Sequence, residues 1–168
     1  MCSPASMVVT KNRVFWSETS DHHEEIIKEF KLQERNVRGE YNFVRVEIVP
    51  PKANSFGAPL SKWVFSTDQD LLPEWYNKKE AEKSVRAELR NWVKFKVIKK
   101  GEHTFSEGFR YVIGGSVTLK GRAFAKLYNN APAELFNNAS ARLYDNASAV
   151  KNGTLYTACK TIVTNKVT

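Results

Sequence analysis

From residue 115 onward, apolar and polar residues alternate with a period of two, and an eight-residue unit carries the alternation through five consecutive copies: GSVTLKGR, AFAKLYNN, APAELFNN, ASARLYDN and ASAVKNGT. Position one holds Gly115, Ala123, Ala131, Ala139 and Ala147, and position three holds Val117, Ala125, Ala133, Ala141 and Ala149. Position five holds Leu119, Leu127, Leu135 and Leu143. A period of two is the mark of a half-buried strand, and the Asn-Asn and Asp-Asn pairs that close three of the units tolerate tight-turn backbone angles.

Two β architectures could use such strands. In a meander with two-residue turns, position six of one strand pairs with position one of the next, so the inward set would switch parity at every turn. Identical octads cannot satisfy both registers. In a parallel solenoid equivalent positions stack, which predicts ladders of Ala, of Leu, of Asn, and of Tyr128 with Phe136 and Tyr144. The pattern therefore predicts a solenoid with a thin, Ala-rich core, and leaves open whether one octad is a whole rung or half of one. The segment 107–114 would be a degenerate first rung with Phe109 and Tyr111 inward. The out-of-register tail LYTACKTIVTNKVT would be a closing strand, or an arm that pairs with a neighbouring subunit.

The first hundred residues carry mixed periodicities. Met7–Thr10 and Arg13–Ser17 flank Lys11-Asn12 and read as a hairpin. Asp21 with Glu24 forms a capping pattern ahead of a short helix that buries Ile26, Ile27 and Phe30. YNFVRVEIV is a strand with Tyr41, Phe43, Arg45, Glu47 and Val49 on one side, ended by Pro50-Pro51, and KWVFSTDQ is another. Asn77 with Glu80 caps the longest helix, expected to run to about Val93, with Ala81, Val85, Leu89 and Trp92 on its buried side. KFKVI then alternates like a strand. The fold class expected is an α+β N-terminal domain over residues 1–100, followed by a short parallel β-solenoid of octad repeats over 101–168.

Composition narrows the picture. The net charge is +8 over 168 residues, with 26 basic and 18 acidic side chains spread over both halves, which excludes an acidic nucleic-acid mimic. No run approaches the roughly 18 apolar residues that span a bilayer, and a basic-then-apolar secretory pattern is missing at the start. A soluble, intracellular protein is expected. Two cysteines, Cys2 and Cys159, make neither a disulfide framework nor a zinc-site spacing, and no residue set calls for a metal or cofactor.

Candidate chemistry is sparse. Cys2 would become an amino-terminal nucleophile if Met1 were trimmed, its α-amine serving as base, with His23 as acid/base partner and Asp68 as orienting carboxylate. On the long helix Lys79, Lys83, Arg86, Arg90 and Lys94 form a stripe opposite the apolar side. It is either a solvated face balanced by Glu82 and Glu88 or a docking face for phosphates or carboxylates. With the aromatic ladder of Tyr128, Phe136 and Tyr144, this stripe is the candidate binding surface.

Several motifs recur together: a Met-Cys start, W-S-x-T-S-D-x-H-E-x-I over Trp16–Ile26, F-V-R-V-E-I over Phe43–Ile48, D-Q-D-L-L-P-E-W-Y over Asp68–Tyr76, and A-x-x-x-L-Y-x-N octads. In that order the chain resembles uncharacterised proteins of bacteriophages and gut-bacterial mobile elements. The resemblance implies a setting in the bacterial host cytoplasm or the virion. It also implies an accessory interaction protein that binds a host or virion protein, such as an inhibitor of a host defence machine. Oligomerisation would use the solenoid end or the C-terminal arm. The alternatives are a Cys2-dependent hydrolase or transferase and, third, nucleic-acid binding through the basic helix.

Overall fold

The structure, a computed structural model, describes residues 4–52, 55–157 and 162–163. It has two compact units, Met1–Val93 and Lys94–Thr168. The division falls ahead of the composition shift at Lys100-Gly101 because Val97–Ile98 already pairs as a solenoid strand.

The first unit is built on an antiparallel sheet ordered β2-β1-β3-β4, with β1 Ser6–Thr10, β2 Val14–Phe15, β3 Phe43–Val49 and β4 Val64–Thr67. The hairpin forms as the pattern predicts, with Val8 opposite Phe15 and Val9 opposite Val14. Met7 pairs with Val46 and Val9 with Val44, so these residues share one buried face of the sheet. Val8, Phe43, Arg45 and Glu47 point to the other face, where Ile26 of helix α1 (His23–Glu29) closes a small cluster with Val8 and Phe43. The cap of α1 differs from expectation: the N-cap is His22, which makes no side-chain capping bond, and Asp21 is buried beside it.

Helix α2 spans Lys78–Lys96, beyond the Val93 limit expected, so Lys94–Lys96 is helix and the following strand shrinks to two residues. Its start matches the reading, since Asn77 Oδ1 accepts from the N–H groups of Lys79 and Glu80 at 3.0 and 3.2 Å. Ala81, Val85, Leu89 and Trp92 are buried, and Trp92 meets Trp63 edge-on at 6.2 Å.

The second unit is a parallel β-solenoid of roughly three turns between residues 97 and 151. Its strands are β5 (Val97–Ile98), β6 (Glu102–Phe105), β7 (Phe109–Val112), β8 (Ser116–Leu119), β9 (Phe124–Leu127), β10 (Pro132–Leu135), β11 (Ser140–Leu143), β12 (Ser148–Lys151), β13 (Thr154–Thr157) and β14 (Ile162–Val163). Two walls form, ordered β13-β12-β10-β8-β6 and β14-β11-β9-β7-β5. Successive octads therefore alternate between walls, and each octad is half a rung. Equivalent positions stack: Ala133 lies between Val117 and Ala149, and Leu135 between Leu119 and Lys151, while Ala141 and Leu143 lie on Ala125 and Leu127. Positions one, three and five supply a core of small Ala and layered Leu.

The turns obey the same parity. Position seven has a positive φ in every octad, at Gly121, Asn129, Asn137, Asp145 and Gly153. These are the residue types that enter the left-handed region at least cost. Asn129 and Asp145 share one corner, where Asp145 Oδ2 accepts from the Asn129 N–H at 3.1 Å. Gly121, Asn137 and Gly153 follow the opposite corner. The expected aromatic ladder consequently splits. Tyr128 and Tyr144 stack at 4.7 Å with an 8° interplanar angle, whereas Phe136 sits half a rung away and is 46% exposed.

The first rung also departs from expectation. Strands β6, β7 and β8 begin seven residues apart, at 102, 109 and 116, whereas later ones begin eight apart, at 124, 132, 140 and 148. The shorter step shifts β7 by one residue, so Arg110 and Val112 stand on the inward Ala125 and Leu127, and Phe109 and Tyr111 face outward. A glycine is required at this step: Gly115 has φ +77°, and a Cβ there would lie 2.3 Å from the Gly101 carbonyl oxygen.

Both ends of the core carry a cation in place of an apolar side chain. Arg110 places its guanidinium 4.0 Å from the Phe95 ring centroid and 4.7 Å from that of Phe105. Lys151, 4% exposed, occupies position five of the last octad and donates to the Ala139 carbonyl at 2.6 Å. Beyond it the chain folds back, β13 pairing antiparallel with β12 and β14 with β11, so the tail closes both walls of its own chain.

Candidate functional site

Two features of the structure could carry function, one in each unit. In the first, His23 opens α1 with its ring 3% exposed. Its Nε2 lies 3.0 Å from the Val46 carbonyl oxygen, and Nδ1 lies 3.3 Å from Asp68 Oδ2. Asp68 follows β4 directly and its N–H donates to the Arg45 carbonyl at 2.9 Å, which extends the β3–β4 ladder and holds the carboxylate against the ring. Glu47, on the same sheet face, completes a group whose ligand-type atoms all lie within 4.8 Å of one another.

The expectation that His23 and Asp68 would act on Cys2 meets a geometric obstacle. Cys2 lies outside the described residues, as does Cys159. Nε2, the ring nitrogen opposite Asp68 and the one a triad would turn toward its nucleophile, instead faces a backbone carbonyl inside the fold. The ring is positioned to hold something at Nδ1, and it presents no exposed base.

The second feature is the outer face of the wall β6-β8-β10-β12. Positions two and four point outward there and stack into two rows, Glu102, Ser116, Pro132, Ser148 and Thr104, Thr118, Glu134, Val150. They line an open groove of about 600 Å³. Its lining is hydroxyls, apolar side chains, two carboxylates and the imidazole of His103. The opposite wall is different in kind: Phe109 stacks on Phe124 at 5.3 Å, and the Lys126 ammonium lies 5.3 Å from both the Phe109 and Tyr111 rings. Of the aromatics expected as a binding ladder, Tyr128 and Tyr144 stack on each other and Phe136 stands apart from them. Tyr128 is buried, Tyr144 half-buried, and Phe136 exposed on its own corner.

The basic stripe on α2 is thinner than the spacing implies. Lys79, Lys83, Arg90 and Lys94 are exposed. Arg86 is not part of that face: it bonds Glu82 Oε1 through Nε and Nη2 at 2.8 and 2.6 Å, and donates to the carbonyls of Leu60 and Trp63 at 3.0 and 2.9 Å. A guanidinium with four such bonds ties the Leu60–Lys62 turn to the helix. Helical periodicity places a residue on a side, but it does not show which loop comes to cover that side.

Glu47 and the groove escaped the sequence reading. Glu47 appeared only as one of five residues on a strand face, and its approach to His23 depends on where α1 lands. The groove rows needed the sixteen-residue rung. Among the described residues no helix is long and apolar enough to cross a membrane. No family model, curated protein or solved structure matches this chain.

Proposed function

We propose that the chain is a binding protein whose solenoid presents the outer face of the β6-β8-β10-β12 wall to a protein partner. The observation that carries this reading is the groove of about 600 Å³ over four stacked strands, rigid because each strand is held in register by its neighbours. Glu102 and Glu134 put negative charge into the groove of a chain whose net charge is +8, which suits a partner offering Lys or Arg between hydroxyl and small apolar contacts. The same carboxylates oppose a phosphate backbone, and with the Arg86 guanidinium engaged by Glu82 and two backbone carbonyls the α2 stripe is a weaker nucleic-acid site than five cations would be. The motif resemblance supports placing the partner among host or virion proteins, a host defence machine included.

Affinity capture from the host bacterium tests this when each captured species is re-measured against a Thr118→Arg/Glu134→Arg double variant. A stoichiometric protein whose affinity falls about 100-fold on that change is the expected result. Nucleic acid as the captured species, a protein that binds the double variant unchanged, or no captured species at all would overturn the reading.

A further inference from the structure

We propose that His23, Glu47 and Asp68 bind a first-row divalent transition cation, with Nδ1 of His23 and one oxygen of each carboxylate as the protein ligands. The orientation of the ring carries the argument. A carbonyl oxygen can only accept, so the 3.0 Å contact to Val46 assigns the proton to Nε2 and turns the Nδ1 lone pair toward Asp68 Oδ2 at 3.3 Å. Two lone pairs at that distance repel unless a positive charge lies between them. A second proton would serve, and so would a metal ion. A histidine whose far nitrogen is fixed by a backbone carbonyl is the arrangement that metal-ligating imidazoles adopt.

The distances suit an ion. Bonds of about 2.0–2.2 Å put neighbouring ligand atoms roughly 3–3.5 Å apart in tetrahedral or octahedral geometry. The His23–Asp68 pair already stands at 3.3 Å, and the ligand-type atoms of all three residues fall within 4.8 Å of one another. The three ligands come from the start of α1, the middle of β3 and the end of β4, so the assembled fold creates the site. Arg45, two residues along β3 on the same face, does not compete for the carboxylates, because its guanidinium lies 3.0 Å from Glu24 and 4.0 Å from Glu34. Asp68 is 57% exposed, which opens the site to solvent on one side and leaves the remaining coordination positions to water. One imidazole nitrogen with two carboxylates disfavours Ca²⁺ and Mg²⁺, which take all-oxygen shells, and admits Mn²⁺, Fe²⁺, Co²⁺ and Zn²⁺.

Mn²⁺ is the probe of choice, since it is hard enough that Cys2 and Cys159 do not compete for it. Titration into the full chain, followed by loss of the free-ion paramagnetic resonance signal, should show one ion bound per chain together with a raised melting temperature. Asp68→Asn and Glu47→Gln should each weaken binding about tenfold or more, while His22→Ala and Glu24→Gln leave it unchanged. Asp68 is largely exposed, so its variant should fold, and tryptophan emission checks that. Absence of binding at millimolar Mn²⁺ would overturn the proposal and leave the cluster a histidine–carboxylate ion pair. Binding indifferent to both carboxylate substitutions would overturn it equally.

Discussion

Leu135→Ala tests the inward register of the solenoid most directly. Leu135 is 2% exposed and lies between Leu119 and Lys151 on its wall, facing a core layered with Leu127 and Leu143. Truncating a buried leucine costs about 2–5 kcal/mol, the spread reflecting how far the surroundings can collapse into the void. Here they can collapse little. The next inward residue along the strand is Ala133, too short to reach the void, and the strands on either side, which carry Leu119 and Lys151, are fixed by their ladders. We expect about 4 kcal/mol, much of the roughly 4–11 kcal/mol available to a unit the size of Lys94–Thr168. Glu134→Ala, one residue away and outward, should change stability by less than about 0.5 kcal/mol. The assay can separate the two units because all four tryptophans, Trp16, Trp63, Trp75 and Trp92, lie before residue 94. In urea the far-UV dichroism of Leu135→Ala should acquire an early transition that tryptophan emission does not follow. Equal losses from the two substitutions would refute the stacking register.

Two further substitutions probe charged side chains that donate to backbone carbonyls. Arg86→Ala should cost about 2 kcal/mol, since it breaks the Glu82 pair and strips donors from the Leu60 and Trp63 carbonyls, whereas Lys83→Ala should stay within about 0.5 kcal/mol; similar urea midpoints for the two would contradict the assignment. Burial pushes the Lys151 ammonium below its ordinary value of 10.5, so between the folded-state value and 10.5 the unfolded chain holds more protons and wild-type stability rises with pH there. Below that window the penalty is present in full, so Lys151→Met should gain about 1 kcal/mol at pH 7 and flatten the alkaline rise, and melting curves from pH 7 to 10.5 that run parallel for the two proteins would count against this.

The solenoid was legible because alternation is local: Ala-x-Ala-x-Leu identifies the inward side of each octad without knowledge of its neighbours. Rung length was not, since Ala and Leu read alike on both walls. The information lay outside the core positions, in Tyr at 128 and 144 against Phe at 136, and in Asn129 and Asp145 against Gly121, Asn137 and Gly153, a sixteen-residue period within the eight. The slipped first rung had its own mark in Gly101, Gly108 and Gly115, spaced by seven. In the first unit the hairpin and the Asn77 cap follow from local chemistry. The partners of Arg86 and Glu47 do not, because they are set by how α1 and the Leu60–Lys62 turn come to rest, and no spacing along the chain encodes that.

Because one octad is half a rung, the array has a parity. Gain or loss of two octads would shift the closing strands by one strand spacing, about 4.8 Å, and leave every side chain on its wall. Gain or loss of a single octad would exchange the walls for everything downstream. Phe136 and Tyr144 would trade corners, Lys151 would close the opposite wall, and the rows Ser116–Ser148 and Thr118–Val150 would be interrupted by residues from the aromatic side. Length variation in such a chain is therefore quantised in sixteens, and an eight-residue slip in the coding sequence acts as a structural frameshift while the reading frame stays intact.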